Sequence, residues 1–255
     1  LWFNDVHDAH VPSAEQLAKY EGSDPNPYVV KFYAVLDAMD REIGRLVAEI
    51  DRLGLAERTL IVLTGDNGPT AWPRYYEEGF DPPGSTGGDR GRKWSLYEGG
   101  IRVPLIVRWP GRIPAGGVDE ATILNAVDLF PTFCALAGVA PPRADLDGED
   151  MSQAFTGGPA MRARPLYWEY GRHRNDLGPG LADDRSPSLA IRDGRWKLLV
   201  NHDGSGVELY DFGVSRAERE NVADRFPRVA ERLRTLLLGW QRALPTLDAG
   251  RPGAM

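Results

Sequence analysis

TLIVLTGDNG, Thr59 to Gly68, is the stretch on which the reading of this chain turns. Leu60 to Leu63 form an apolar, β-branched run with no polar alternation, the pattern of a strand buried on both faces. Two hard oxygen donors, Asp66 and Asn67, follow at once. Gly65 and Gly68 bracket them and let the backbone turn sharply. A carboxylate and an amide oxygen are thereby placed at the C-terminal end of an expected parallel strand, the edge at which open α/β sheets hold ligands. Such a pair suits calcium or magnesium. An ordinary Asp-Asn-Gly turn is the competing reading of the same residues.

Outward from this run, Tyr28 to Leu53 reads as one amphipathic helix, with Val35, Met39, Ile43, Leu46, Val47, Ile50 and Leu53 at helical spacing and Gly54 as a stop. Leu1 to Phe3 reads as a strand end, followed by a loop carrying His7 and His10. Pro69 to Arg92 is a long loop rich in Gly, Pro and aromatics, a length more often functional than idle. Its Trp72, Tyr75, Tyr76 and Phe80 could line a cleft or pack the loop down. Val103 to Trp109 is a second buried strand. Val127 to Ala137 reads as a helix with Leu129, Phe133 and Leu136 inward, and Cys134 on it as a core residue. Beyond Pro141 to Gly158, polar and turn-rich, come short β-like runs at Leu166–Glu169, Ser188–Ile191, Trp196–Val200 and Val207–Tyr210. Asp193-Gly194 is a hairpin turn between two of them. Pro227 to Leu244 closes the chain as a helix with Val229, Leu233, Leu236, Leu237 and Trp240 on one side. The division expected is an α/β part over 1–140, a connector over 141–165 and a small α+β part over 166–255.

The chain has 255 residues, 42% of them hydrophobic, enough for a sizeable core. A formal net charge of −7 argues against a nucleic-acid partner. One cysteine permits no internal disulfide. No run approaches the roughly 20 apolar residues of a membrane span, and no secretory signal is visible.

Three motifs, TGDNG at 64–68, GRKWSLYEGGIRVP at 91–104 and HDAHVP at 7–12, with the weaker VDLFPTFCALAG at 127–138, LDGEDM at 146–151 and ELYDF at 208–212, carry a resemblance. In this order they resemble the sulfatases of the alkaline phosphatase-like superfamily, across nearly the whole chain. The resemblance implies a partial alkaline phosphatase-like sandwich with a mostly parallel sheet, and a small C-terminal antiparallel sheet with a helix. It implies a sulfuric ester hydrolase acting on a sulfated small molecule or glycan. Asp66 and Asn67 would be metal ligands, usually for Ca2+ with Mg2+ possible. Lys93 would contact the sulfate, and His10 would match the sulfate-contacting histidine. His7 would support from behind, and Arg172 and His173 could reach the substrate. Glu98-Gly99-Gly100 would be a structural turn. A periplasmic, secreted or lysosomal location would follow from the family.

The chain departs from the pattern where the nucleophile belongs. Sulfatases make formylglycine from Cys or Ser in Cys/Ser-X-Pro-X-Arg, and no such signature occurs here. Cys134 is followed by Ala-Leu-Ala. The paired aspartates that complete the metal site are absent too. The expectation is therefore the C-terminal part of a sulfatase, inactive alone, with an exposed sheet edge and apolar surface. A phosphoric or phosphonate ester hydrolase of the same superfamily and a non-catalytic sulfated-glycan-binding remnant are the alternatives.

Overall fold

A computed structural model describes residues 1–142, 145–158, 160–172 and 176–245. They form two units: 1–164 with 177–186, and 165–176 with 187–245.

In the first unit α1 (Ala14–Ala18) is started by a capping box, in which the Ser13 hydroxyl accepts from the Gln16 N–H and the Gln16 amide oxygen accepts from the Ser13 N–H. Helix α2 (Pro27–Arg52) begins with Asn26 as N-cap and Pro27 in its first turn. Its buried residues are Val30, Ala34 and Val35. The apolar stripe expected to continue inward surfaces instead, with Leu46 42% and Leu53 53% exposed.

Strand β1 (Ile61–Thr64) leads through α3 (Pro73–Glu77) and the one-turn α4 (Glu98–Ile101) to β2 (Leu105–Arg108). β1 and β2 run antiparallel, Ile61 opposite Arg108 and Thr64 opposite Leu105. The expected parallel placement of these two strands is thus corrected. The connection carries no helix long enough to return the chain along the sheet, so it re-enters at the end it left. Neither strand is buried on both faces: Ile61 to Leu63 are half-buried, and Ile106 is 59% exposed. Residues 1–3 form no strand, since they pair with no neighbour, and Leu1 and Trp2 project into solvent. The exposed apolar surface expected from sequence is present.

Helix α5 (Ala126–Ala137) buries Asp128, Pro131 and Thr132 rather than the Phe133 face. Cys134 is half-buried. The reason lies in the stretch expected as a connector. There α6 (Ser152–Phe155) follows, and Met151 and Phe155 are buried. The Asp128 carboxylate, fully buried, accepts from the N–H groups of Asn125 (2.8 Å) and Glu149 (2.9 Å) and from the Arg162 guanidinium. A polar anchor thus decides which face of α5 turns inward.

The second unit is a four-stranded antiparallel meander, β3 (Leu166–Glu169), β4 (Leu189–Asp193), β5 (Trp196–Val200) and β6 (Glu208–Asp211), covered by α7 (Pro227–Ala243). Gly194, at φ 54°, makes the β4–β5 turn. Leu189, Ile191, Leu198, Val200 and Leu209 pack against Ala230, Leu233 and Leu237. Leu236, expected inward, is 39% exposed. Truncating one fully buried leucine such as Leu198 to alanine costs about 2–5 kcal/mol in cores of this kind.

Two carboxyls hold pKa values below the ordinary range. Asp211 is lowered chiefly by its hydrogen bond from Arg195, with the Gly213 N–H adding to it. For Glu149, burial pulls upward, but the N–H groups of Ala163 and Arg164 and the charges of Arg162 and Arg164 outweigh it. A depressed carboxyl pKa contributes stability above the unfolded value, roughly 4, that is lost as pH falls through the folded value. Thermal stability is therefore expected to drop below about pH 4, with a shallower drop in Arg195→Gln. The difference is small, because Arg195 is half exposed and its pair is screened. Identical acid-side slopes in the two proteins, measured by circular dichroism melts, would remove Asp211 from this account.

Candidate active site

The site is built on glycine-to-backbone packing. β1 ends at Thr64, and the Gly68 N–H donates to Gly100 O at 2.8 Å. A Cβ on Gly68 would lie 1.9 Å from Gly99 O, one on Gly99 2.1 Å from Gly91 O, and one on Gly100 2.1 Å from Ser95 O. Side chains are therefore excluded at all three positions, and the DNG corner, α4 and the lysine loop fit as one stack of backbone. This gives the structural reading of Glu98-Gly99-Gly100 its physical basis.

Two clamps hold Lys93 on that stack. Its own N–H donates to Pro69 O at 2.9 Å. The neighbouring Arg92 guanidinium donates to Thr70 O (2.7 Å), Pro82 O (3.0 Å), Pro83 O (2.9 Å) and Gly84 O (2.9 Å). Burial lowers the Arg92 pKa from its usual value. The long loop 69–92 is thus gathered around one half-buried cation. Tyr75 and Phe80 of that loop pack on Tyr28 at 4.8 and 5.8 Å between ring centroids, so these two serve packing.

His7 and Lys93 meet, with Nε2 3.0 Å from Nζ. His7 Nδ1 lies 2.6 Å from the carbonyl oxygen of Asp8, which can only accept, so Nδ1 carries the hydrogen. Nε2 is left to accept from the Lys93 ammonium. His10 is placed differently. Its side chain is 3% exposed, Nε2 donates to Val6 O at 3.0 Å, and Nδ1 faces Asp8 Oδ1 at 3.8 Å. Its ring meets Phe32 edge-on at 5.5 Å. The structure therefore joins His7 to Lys93, while His10 is buried against Val6, Asp8 and Phe32.

Asp66 is exposed, with Oδ1 accepting the Asn67 N–H at 3.0 Å. Asn67 Nδ2 donates to Gly68 O at 3.0 Å, which leaves its Oδ1 facing away from that bond as an acceptor. The pair offers oxygen donors of the type a hard cation takes, but only part of the six or more it needs. Among the described residues no group of three or more His, Cys, Asp and Glu could hold a metal.

Arg172 lies in the second unit, where Nη2 pairs with Glu169 at 2.5 Å and Nη1 donates to Pro245 O at 2.9 Å. His173 lies outside the described residues.

Sequence reasoning missed Asp8 and Arg74, and read Tyr75 only as one of an aromatic cluster. Asp8 Oδ1 accepts from Arg74 Nη2 at 3.0 Å and from the Tyr75 hydroxyl, while Oδ2 is buried without a hydrogen-bond donor. Burial first, and then the Asp8 contact, push the Tyr75 phenol up to about 12. The only local signal was a carboxylate between two histidines in HDAH. Trp94 was missed as well. It stands beside Lys93 at φ 73°, a left-handed backbone that costs an L-residue about 1–2 kcal/mol.

Comparison with known proteins follows the same residues. The family profile described as Sulfatase matches residues 1–139, more than half of the chain. The profile described as N-sulphoglucosamine sulphohydrolase, C-terminal, matches 91–241. Arylsulfatase A of Homo sapiens is 32% identical over 201 residues, covering 78% of this chain and 35% of that protein. N-acetylgalactosamine-6-O-sulfatase of Bacteroides thetaiotaomicron is 28% identical over 220 residues, covering 80% and 40%. The crystal structure of Ps i-CgsB superposes with a TM-score of 0.71 at 26% identity, over 93% of this chain and 48% of that one. A structure of BT4656 with its substrate D-glucosamine-2-N,6-O-disulfate gives 0.63 at 26%, over 90% and 45%. The chain thus spans 35–41% of the length of the first curated relatives it matches. The α/β fold is that of alkaline phosphatase-like sulfatases, present in part. With the TGDNG corner, the lysine loop and HDAHVP all inside the matched region, the chain belongs to the sulfatase family.

Proposed function

We propose that this chain supplies part of the active site of a sulfuric ester hydrolase that cleaves sulfate monoesters. The observation that carries the reading is the Lys93–His7 pair, whose lysine is tied by its backbone N–H to Pro69 O, directly after the corner that presents Asp66 and Asn67. A sulfate ester is a compact anion whose leaving oxygen gains negative charge as the S–O bond breaks. The Lys93 ammonium neutralises sulfuryl oxygens and that developing charge. His7 accepts from the ammonium through Nε2 and so aims it. His10 is the candidate proton donor to the leaving oxygen, for which it must exchange Val6 O for the ester. Asp66 and Asn67 would contribute two oxygens to a Ca2+ or Mg2+ site, and such a cation, when bound, offsets sulfate charge. The formylglycine nucleophile and the other ligands have no counterpart among these residues, so this chain alone would not turn over substrate.

A sulfated glycan is the proposed substrate class, with the sulfated glucosamine named as substrate of the solved relative as support. The test is hydrolysis of 4-nitrophenyl sulfate and 4-nitrophenyl phosphate by the full-length protein, with and without EDTA. Release from the sulfate ester, lowered by EDTA, is expected. Preference for the phosphate ester would move the assignment to the phosphoric ester hydrolases. Glycan binding unaffected by EDTA, with neither ester cleaved, would favour the non-catalytic alternative.

A further inference from the structure

We propose that Trp94 is the platform on which the ring of the sulfate-bearing sugar rests, an assignment that builds on the sulfatase reading. Four other residues between 84 and 94 adopt a positive φ: Gly84, Gly87, Gly88 and Gly91. Each is a glycine, the residue that takes this backbone freely. Trp94, at φ 73°, is the exception. Strain of this kind persists where the side chain supplies something glycine cannot, and it gathers at ligand sites.

What the indole supplies is position. Trp94 follows Lys93 directly, and Nζ lies 6.0 Å from the ring centroid. Trp72 meets the ring edge-on at 4.7 Å and so fixes its plane. Both indoles are half-buried, leaving aromatic surface beside the ammonium. An anion held by Lys93 would carry its ring within reach of that surface. A pyranose presents a face of C–H groups, which complements the negative face of an indole. An acyclic ester has no such face, so the platform separates ring-borne from chain-borne sulfates.

The experiment compares Trp94→Gly, Trp94→Asn and Trp94→Phe in the full-length protein. Glycine and asparagine both accept the left-handed backbone without an aromatic face. Expected are an unchanged or raised Tm for Trp94→Gly and a KM for a sulfated hexosamine raised about tenfold, worth about 1.4 kcal/mol. Trp94→Asn should raise KM likewise, Trp94→Phe should recover most of the affinity, and inhibition by inorganic sulfate should not change. An unchanged KM with a lowered Tm would overturn the proposal, since Trp94 would then only pack on Trp72. Equal weakening of sulfate inhibition and sugar affinity would also overturn it, because Trp94 would then act by holding Lys93. Failure of the sulfatase reading itself shows separately, as cleavage of the sugar sulfate at the wild-type rate by Lys93→Ala.

Discussion

Lys93→Ala in the full-length protein is expected to lower kcat for a sulfate ester by about a hundredfold to a thousandfold, the range measured when one preorganised charge-stabilising donor is removed. The magnitude rests on how tightly the residue is held. Its backbone is tied to Pro69 O, and Arg92 fastens the preceding loop through Thr70, Pro82, Pro83 and Gly84. The fold rather than the substrate therefore bears the ordering cost of the ammonium, and its loss falls on the transition state. Lys93→Arg restores the charge but not the compact point donor that fits beside His7, so partial recovery is expected. Asp66→Ala should be comparably damaging and should also weaken metal retention. Steady-state kinetics with 4-nitrophenyl sulfate reads both. Wild-type rates in the two variants would show the site to be elsewhere.

Asp128→Ala is expected to destabilise the first unit by about 3–5 kcal/mol, the cost of stripping one partner from a buried ion pair. The Asp128 carboxylate closes the capping box of α5, accepts the Glu149 N–H and pairs with Arg162, whose side chain is 7% exposed. Alanine leaves Arg162, among the described residues, with the Glu149 carboxylate at 3.7 Å and Arg164 O at 3.2 Å, and frees two backbone N–H groups. Against a total stability of about 5–15 kcal/mol for a domain, this is a large share. Asp128→Asn keeps one acceptor oxygen where the carboxylate offers two, one for the Asn125 N–H and one for the Glu149 N–H, and should cost less than alanine. Urea denaturation of the three proteins gives the ordering. Equal midpoints for wild type and Asp128→Ala would mean that Asp128 does not anchor α5.

Much of the architecture was legible beforehand, for a local reason. The α2 helix, the β4–β5 turn at Asp193-Gly194 and the α7 helix rest on repeats of 3.6 or 2 residues or turn chemistry, which neighbouring residues set by themselves. The inward residues were read less well. Phe133 has the right spacing on α5, yet the buried face carries Asp128 and Thr132. Periodicity counts apolar residues and is blind to a carboxylate whose partners stand 21 and 34 residues away. The antiparallel β1–β2 pairing escaped for a similar reason: strand direction depends on where 40 residues of loop return the chain, and an apolar run has no sense of direction.

The candidate site divides along the same line. By itself the sequence determined its parts: the Asp66-Asn67 corner after an apolar strand, the glycines at 68, 99 and 100, Lys93 in its loop and the histidines of HDAHVP. These are choices of residue type, and donor chemistry or the absence of a Cβ can be read from the letter. Only the tertiary structure decided which parts meet. It brought His7 rather than His10 to Lys93 across 86 positions, set Asp8 against Arg74 and Tyr75, and turned Trp94 into a left-handed backbone beside Trp72. Such contacts form when loop closure, packing and burial of charge are satisfied together, and no stretch of sequence holds all three terms.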